Sequence, residues 1–576
     1  MRNLGPNLPR NRGSVGETTE KRRQNTGRWG DERGGSLRSL FPREEIAWLG
    51  VWTAAVLALA SLPYVVGYLL TPSGKEYMGF FPYIQDSNSY LAKMQQGAHG
   101  QWLFHLTYSP EESTGTLAFI YYLLLGKVSA LIGLPHIVTY HLARVVNGAL
   151  LLLVVYAFIG QFLSHRQTKR VAFLLICFSA GLGWLALALG FREIGGELPI
   201  DVHFPDSTTF WSLFTFPHYL LAQALMLLAC IWLIIGMERG SAQWSVAAGL
   251  AALALGLVLP FGVITVYSVW GGFYALLALK DRDLHLRSIP YFAIPFLMAA
   301  PAVVYGLYMS GVDAVYRGWT SQNLTITPGP LNLIVSYGLL LPLAVAGVVW
   351  ILRRGSSRML LIAAWTLVIP VLLYAPTQLQ RRVIIGWHIV LAVSAAIGLV
   401  MVVEPWVVSL WNRKGAKQRS GKGLRMLVNS LIILTLPSTL LIVGLALLKG
   451  FTHEYPSYLY SEETDALAWL LDNTKPGDTV LSGWILGSFI PARAGNRVFV
   501  GHWAETIDSA AKTAKVCQFF CTNDREARLA LLREYRIRYV YDGSEERALG
   551  NLGPADYLVE VYGNDRVKIY RFDDGQ

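Results

Sequence analysis

Apolar residues along this chain come in blocks of about twenty positions, not in the short alternation of a half-buried strand. The blocks cover 46–70, 116–133, 137–163, 171–190, 213–236, 242–259, 261–279, 288–310, 331–352, 359–375, 383–403 and 426–448. Each is close to the length a helix needs to cross a hydrocarbon core roughly 30 Å thick. Taken together they predict a polytopic α-helical membrane protein.

Charge decides how many of the blocks cross. If all twelve did, His165 to Arg170 would face outward, and so would Arg413 to Arg425 with its six Lys/Arg. That opposes the inward bias of positive loops. The weakest block is 116–133, which carries Lys127 and is bounded by Gly115 and Gly133. Treating it as an outer juxtamembrane helix leaves eleven spans and puts the basic loops inside. The long outer loops are then 71–115, 191–212, 311–330 and 376–382.

The ends differ from the middle. Residues 1–43 hold ten Lys/Arg, four Asp/Glu and no apolar period, so they read as a disordered basic cytoplasmic tail. The first block then serves as an uncleaved anchor. Residues 44–449 form the membrane domain, with a first outer loop over 71–136. Residues 450–576 alternate short β-branched and aromatic runs such as Arg538-Tyr539-Val540-Tyr541 with helical stretches such as Arg525 to Glu534. This predicts a small extracytoplasmic α/β domain.

Composition narrows the class. The 576 residues are 53% hydrophobic and only 15% charged, against about a quarter charged in soluble domains, which excludes a soluble enzyme. The net charge of +11 is a topology signal, so no nucleic-acid partner is expected. Four cysteines are too few for a disulfide framework; Cys517 and Cys521, four apart, could pair or stay free. No HExxH, GxSxG, paired CxxC, GxGxxG or P-loop occurs.

What remains is polar chemistry on the outer side. In Gln85-Asp86-Ser87-Asn88-Ser89-Tyr90, Asp86 opens a helix whose apolar face, with Tyr90, Leu91 and Met94, lies against the membrane. Asp86 is either a first-turn carboxylate at the positive end of the helix dipole or a base for an acceptor hydroxyl. Arg144, early in the next span, either meets a polar site or reaches the interface. Asp206 and His218, in and just after the second long outer loop, are candidates for the same site. Gly501 to Thr506 in the C-terminal segment caps a strand–helix junction or contacts sugar.

Gln378-Leu379-Gln380-Arg381-Arg382 is the sharpest feature, because paired arginines in an outer loop run against the charge bias. Guanidinium binds phosphate bidentately and stays charged. The pair either touches lipid headgroups or recognises a phosphate.

A first span, a large outer loop with Asp86 then Tyr90, Gly100-Gln101-Trp102, a juxtamembrane helix, and a second span with an early Arg resemble the GT-C membrane glycosyltransferases. The likeness is to the lipid A aminoarabinose transferase and protein O-mannosyltransferase type, and it is clear over 46–260. It implies an inverting transferase at the outer face of a plasma (inner) membrane, moving sugar from a polyprenyl-phosphate donor to a lipid, glycan or protein hydroxyl. Asp86 is then the general base or a metal-site residue. Arg381, Arg382 and Arg144 hold the donor phosphate, and Tyr90, Asp206, His218 and Gln380 bind substrate. The acid that often follows the family's first carboxylate is here Ser87, so divalent-metal use stays open. The alternatives are a lipid-linked glycan flippase and a non-catalytic protein of the same fold.

Overall fold

The computed structural model describes residues 43–377, 380–413, 420–553 and 555–574. The expected basic tail, Gln378 and Leu379 lie outside them, as does part of the 413–425 basic loop. Among the described residues seven helices are long and apolar enough to cross a membrane. An eighth crossing arises if Pro330–Tyr337 and Leu340–Arg354, bent by 90° at their junction, form one span. The block 242–259 is a helix of 17 residues, Ala242–Val258, and the block 359–375 is one of 14, Leu360–Leu373. The block 171–190 breaks at Ser179 to Leu182 into Arg166–Phe178 and Gly183–Ala188. The eleven expected crossings therefore divide into seven full-length helices, one bent pair and three shorter or broken elements.

The 116–133 block becomes the helix Ile120–Ile132, which lies along Ile84–Ala98 at close range. A Cβ on Gly97 would come within 2.0 Å of the Leu123 carbonyl oxygen, and one on Gly126 within 1.9 Å of that of Met94. Only glycine permits that approach. The apolar face of Ile84–Ala98 is consequently covered by protein rather than lipid. Leu91 and Met94 are buried among Tyr122, Tyr140 and Ala492, the last from helix Trp484–Arg493.

The C-terminal segment forms a five-stranded sheet. Its strands are β3 (Thr479–Leu481), β4 (Arg497–Val498), β5 (Ile537–Asp542), β6 (Leu558–Gly563) and β7 (Lys568–Phe572), in the order β4-β3-β5-β7-β6. β3 runs parallel to β4 and β5, whereas β7 pairs antiparallel with β5 and β6. Helices pack on it as the mixed pattern requires. Cys517 and Cys521 are both free. A separate two-stranded ribbon, β1 (Lys75–Tyr77) with β2 (Tyr458–Tyr460), joins the chain just after its first long helix to the chain just after its last.

Candidate functional site

A cavity of about 870 Å3 opens where the helix Ile84–Ala98, the 204–219 stretch, the Gln380–Ile384 turn and residues 502–505 converge. Asp86, Tyr90, Asp206, His218, Arg381 and Arg382 all line it. These residues lie as far as 296 positions apart in sequence, and the fold brings them to one space. Gln380 does not line it, and neither does Arg144.

Asp86 sits in the first turn of its helix, where the free N–H groups favour a carboxylate. Tyr83, at the N-cap, has φ 53° and makes no side-chain cap. Phe119 caps Ile120–Ile132 with φ 55° in the same manner. Both line the cavity, so two non-glycine residues hold left-handed backbone at its wall, at a cost of order 1–2 kcal/mol each.

His502 faces Asp86 from the C-terminal segment, with Nε2 3.4 Å from Asp86 Oδ1. This is proximity rather than an aligned bond, since Nε2 makes no hydrogen bond. The tautomer follows from the other side of the ring. The backbone N–H groups of Ala504 and Glu505 both donate to Nδ1, at 3.2 Å each. Nδ1 is thus an acceptor, and the ring proton sits on Nε2, towards Asp86.

Glu505 completes this wall. Its Oε1 accepts from the Ser89 hydroxyl at 2.6 Å and from the Lys93 ammonium at 2.7 Å. Lys93 is buried on the helix that carries Asp86, its Nζ 4.1 Å from the centre of the Phe119 ring. Burial pushes the Glu505 pKa up, but Lys93, His502 and the hydrogen bonds from Lys93 and Ser89 outweigh it and hold the carboxyl below its usual range. Its second oxygen, Oε2, is buried with no hydrogen-bond partner.

On the Gln380–Ile384 turn Arg381 lies 3.5 Å from Asp206 and over the Phe204 ring, 3.3 Å from its centre. Arg382 donates to the Asn323 carbonyl. Among the described residues, Asp206 is the one carboxylate ion-paired with these two guanidiniums. Burial is the main influence lowering the Arg382 pKa. The pair therefore carries uncompensated positive charge in a partly dry site, which an anion would complete.

Tyr90 stacks on Tyr122 with ring centres 4.3 Å apart and abuts His218 at 4.9 Å. The Tyr122 hydroxyl pairs with His218 Nδ1 at 2.7 Å. Burial, reinforced by Tyr219 and Asp86, drives the Tyr90 pKa well above its ordinary value, so it presents a neutral hydroxyl.

Arg144 is directed elsewhere. It is 1% exposed and donates to the Leu213 carbonyl at 2.7 Å, the Ser61 hydroxyl at 3.0 Å and the Ala60 carbonyl at 3.4 Å. These bonds tie three helical segments together and leave it no reach to the cavity. Five residues before Asp206, Asp201 is likewise occupied, with Oδ2 accepting from Ser438 and from the Gly181 and Gly183 amides.

The cavity also has an apolar arm. Phe261 and Ile264 of Pro260–Asp281 and Ala302, Val303 and Leu307 of Ile289–Val312 line it beside the arginines. Both helices are long enough to cross a membrane.

A metal fits poorly. Among the described residues no three His, Cys, Asp or Glu come together to hold one. Asp86 faces a ring N–H, and Asp206 faces Arg381.

The sequence placed His502 and Glu505 in a segment that either caps a strand–helix junction or contacts sugar, without tying them to Asp86, and gave Lys93 no role. A lysine one position before Met94 on an amphipathic helix was the available signal, since such a charge needs a buried partner.

No protein-family model matches the sequence, and no curated protein does. Solved structures do. The archaeal oligosaccharyltransferase AglB from Archaeoglobus fulgidus, in complex with an inhibitory peptide and a dolichol-phosphate, matches 85% of this chain and 69% of its own, with TM-score 0.53 and 15% identity. ArnT from Cupriavidus metallidurans bound to undecaprenyl phosphate matches 91% of this chain and 98% of its own, with TM-score 0.52 and 13% identity. Arabinofuranosyltransferase AftD from Mycobacteria matches 92% of this chain and 40% of its own, with TM-score 0.50 and 13% identity. These neighbours are GT-C glycosyltransferases. At such identities the likeness is one of fold, and the chain is a multi-pass helical membrane protein with the GT-C fold.

Proposed function

We propose that the chain is a membrane glycosyltransferase that moves a sugar from a polyprenyl-phosphate donor to a hydroxyl acceptor. The observation that carries this reading is the shape of one cavity. It joins a carboxylate, an under-compensated pair of arginines and an apolar arm between two membrane helices. An amphiphile with a phosphate head and a long apolar tail matches the last two. Dolichol-phosphate and undecaprenyl phosphate accompany two of the structural neighbours.

The chemistry is a single displacement. Asp86 takes the proton of the acceptor hydroxyl as its oxygen attacks the anomeric carbon. The bond from that carbon to the phosphate oxygen breaks, its electron pair leaves with the phosphate, and the configuration inverts. Arg381 and Arg382 stabilise the charge that develops on the leaving phosphate. His502 presents its ring N–H to Asp86 and orients it, while Tyr90, Asp206 and His218 shape the sugar pocket. Eleven crossings, a cytoplasmic N-terminus and an extracytoplasmic C-terminal domain in a plasma membrane complete the reading.

The test is transfer from a labelled polyprenyl-phosphate sugar by the full chain in detergent, over a broad panel of donors and acceptors. Asp86→Asn should lower turnover by about 100-fold or more while undecaprenyl phosphate still binds. Binding of the lipid phosphate by wild type with no transfer to any acceptor would favour a flippase or a non-catalytic protein.

A further inference from the structure

The wall facing Asp86 has a feature that base catalysis leaves unused. Glu505 is 4% exposed and lines the cavity, yet its Oε2 has no partner. Oε1 is fully engaged by Ser89 and Lys93, so Glu505 cannot rotate to satisfy Oε2 without breaking a buried ion pair. An unpaired buried carboxylate oxygen is costly unless a ligand donates to it.

Beside it stands Trp503, which also lines the cavity and is 43% exposed. It lies nearly parallel to His502, 24° between planes and 6.1 Å between centres, in a segment pinned from outside. The Gln322 amide donates to the Ala504 and Thr506 carbonyls at 2.8 Å each, and the Thr506 hydroxyl donates to the Tyr108 carbonyl at 2.9 Å. The indole is therefore a large surface ring on a fixed support.

We infer that Trp503 and Glu505 form a carbohydrate subsite, so that the acceptor is a glycan. A sugar ring offers polarised C–H bonds, which suit the negative face of an indole, and hydroxyls, which suit a carboxylate oxygen. A lipid tail offers no donor to Glu505, and a peptide, whose N–H groups can also donate to a carboxylate, is the competing occupant that the titration below separates.

The subsite belongs to the acceptor and not the donor because of where it stands. Ser89, which Glu505 grips, is one helical turn from Asp86, and His502 abuts Asp86 directly. The phosphate-binding arginines and the apolar arm come from other elements, the Gln380–Ile384 turn and the helices Pro260–Asp281 and Ile289–Val312. This assignment rests on the proposed transferase reading, and the experiment separates the two.

Full-length protein in detergent is titrated with methyl glycosides and disaccharides of the common hexoses and pentoses, with short serine- and threonine-containing peptides, and with undecaprenyl phosphate. At least one glycoside should bind. Trp503→Ala should weaken that binding about tenfold or more, Trp503→Phe should restore most of it, and Glu505→Gln should weaken it about tenfold. Undecaprenyl phosphate binding should stay unchanged in all three variants. Trp503 is partly exposed, so its replacement reports on ligand even if Glu505→Gln loosens the fold.

Lipid phosphate binding with no glycoside binding overturns the glycan assignment and leaves the transferase reading standing. Glycoside binding that Trp503→Ala does not alter overturns it as well, as does peptide binding that Trp503→Ala abolishes. A shift in donor-sugar preference in the Trp503 variants would move the subsite to the donor. Failure to bind undecaprenyl phosphate strikes the transferase reading itself.

Discussion

Arg144 and the Arg381–Arg382 pair pose the same physical problem, a guanidinium in apolar surroundings, and the fold answers it in opposite ways. Around Arg144 the guanidinium is held by two backbone carbonyls, a serine hydroxyl and His141. Around Arg381 and Arg382 a single carboxylate and one carbonyl leave donors and charge to spare, beside an open cavity. A closed guanidinium fastens the fold, whereas an open one keeps donors for a ligand. Sequence position does not distinguish them, because both lie near the end of an apolar block.

The distinction breaks most sharply on Arg144→Ala. Losing charged hydrogen bonds to buried carbonyls should cost on the order of 3 kcal/mol. It should lower the unfolding midpoint in detergent, and whatever folded protein remains should bind undecaprenyl phosphate as wild type does. Weakened phosphate binding at unchanged stability would instead make Arg144 a receptor.

Arg381→Ala with Arg382→Ala should do the reverse. Phosphate affinity should fall about 100-fold, from two charge-assisted contacts, with little change in unfolding midpoint. Asp206→Asn sharpens the contrast from the other side. Freed of its one ion pair, Arg381 should hold the lipid phosphate a few-fold tighter, on the order of 1 kcal/mol, as titration would register.

A further test concerns a closed carboxyl in the α/β domain, away from both sets of arginines. Glu546 is buried beneath the Gly483 and Gly543 amides, and burial pushes its pKa from 4.5 to about 8. For an acid raised in this way the folded state holds the proton more tightly. Its contribution to stability is complete below the unfolded pKa and is lost as pH rises towards about 8. The unfolding midpoint of wild type should drift down over that window, and Glu546→Gln should flatten the drift.

Helix placement was legible because a twenty-residue apolar block is a local property. The structure puts a helix at nearly every block, and even the reassigned 116–133 block became a short helix packed on the outer one. The kinks were less legible. The break after Phe178 and the 90° bend after Tyr337 depend on packing, such as the Gly181 backbone pressed against Ser336, which composition does not encode. Six of the eight candidate site residues reach one cavity. Arg144 and Gln380 do not line it. Lys93, and the link of Glu505 and His502 to the Asp86 helix, escaped for a different reason. Each contact joins residues more than 400 positions apart, and a single sequence carries no record of such pairs.

That separation has a consequence in time. Ser89 and Glu505, which hydrogen-bond at 2.6 Å, lie 416 residues apart. At a synthesis rate of roughly 10 residues per second, about 40 seconds pass between the emergence of one and the other. Throughout that interval Lys93 waits without its carboxylate, and Asp86 without its histidine. The ribbon of β1 and β2 cannot close until the last long helix is in place. The Asp86 side of the cavity can therefore be completed only after the membrane helices have been made.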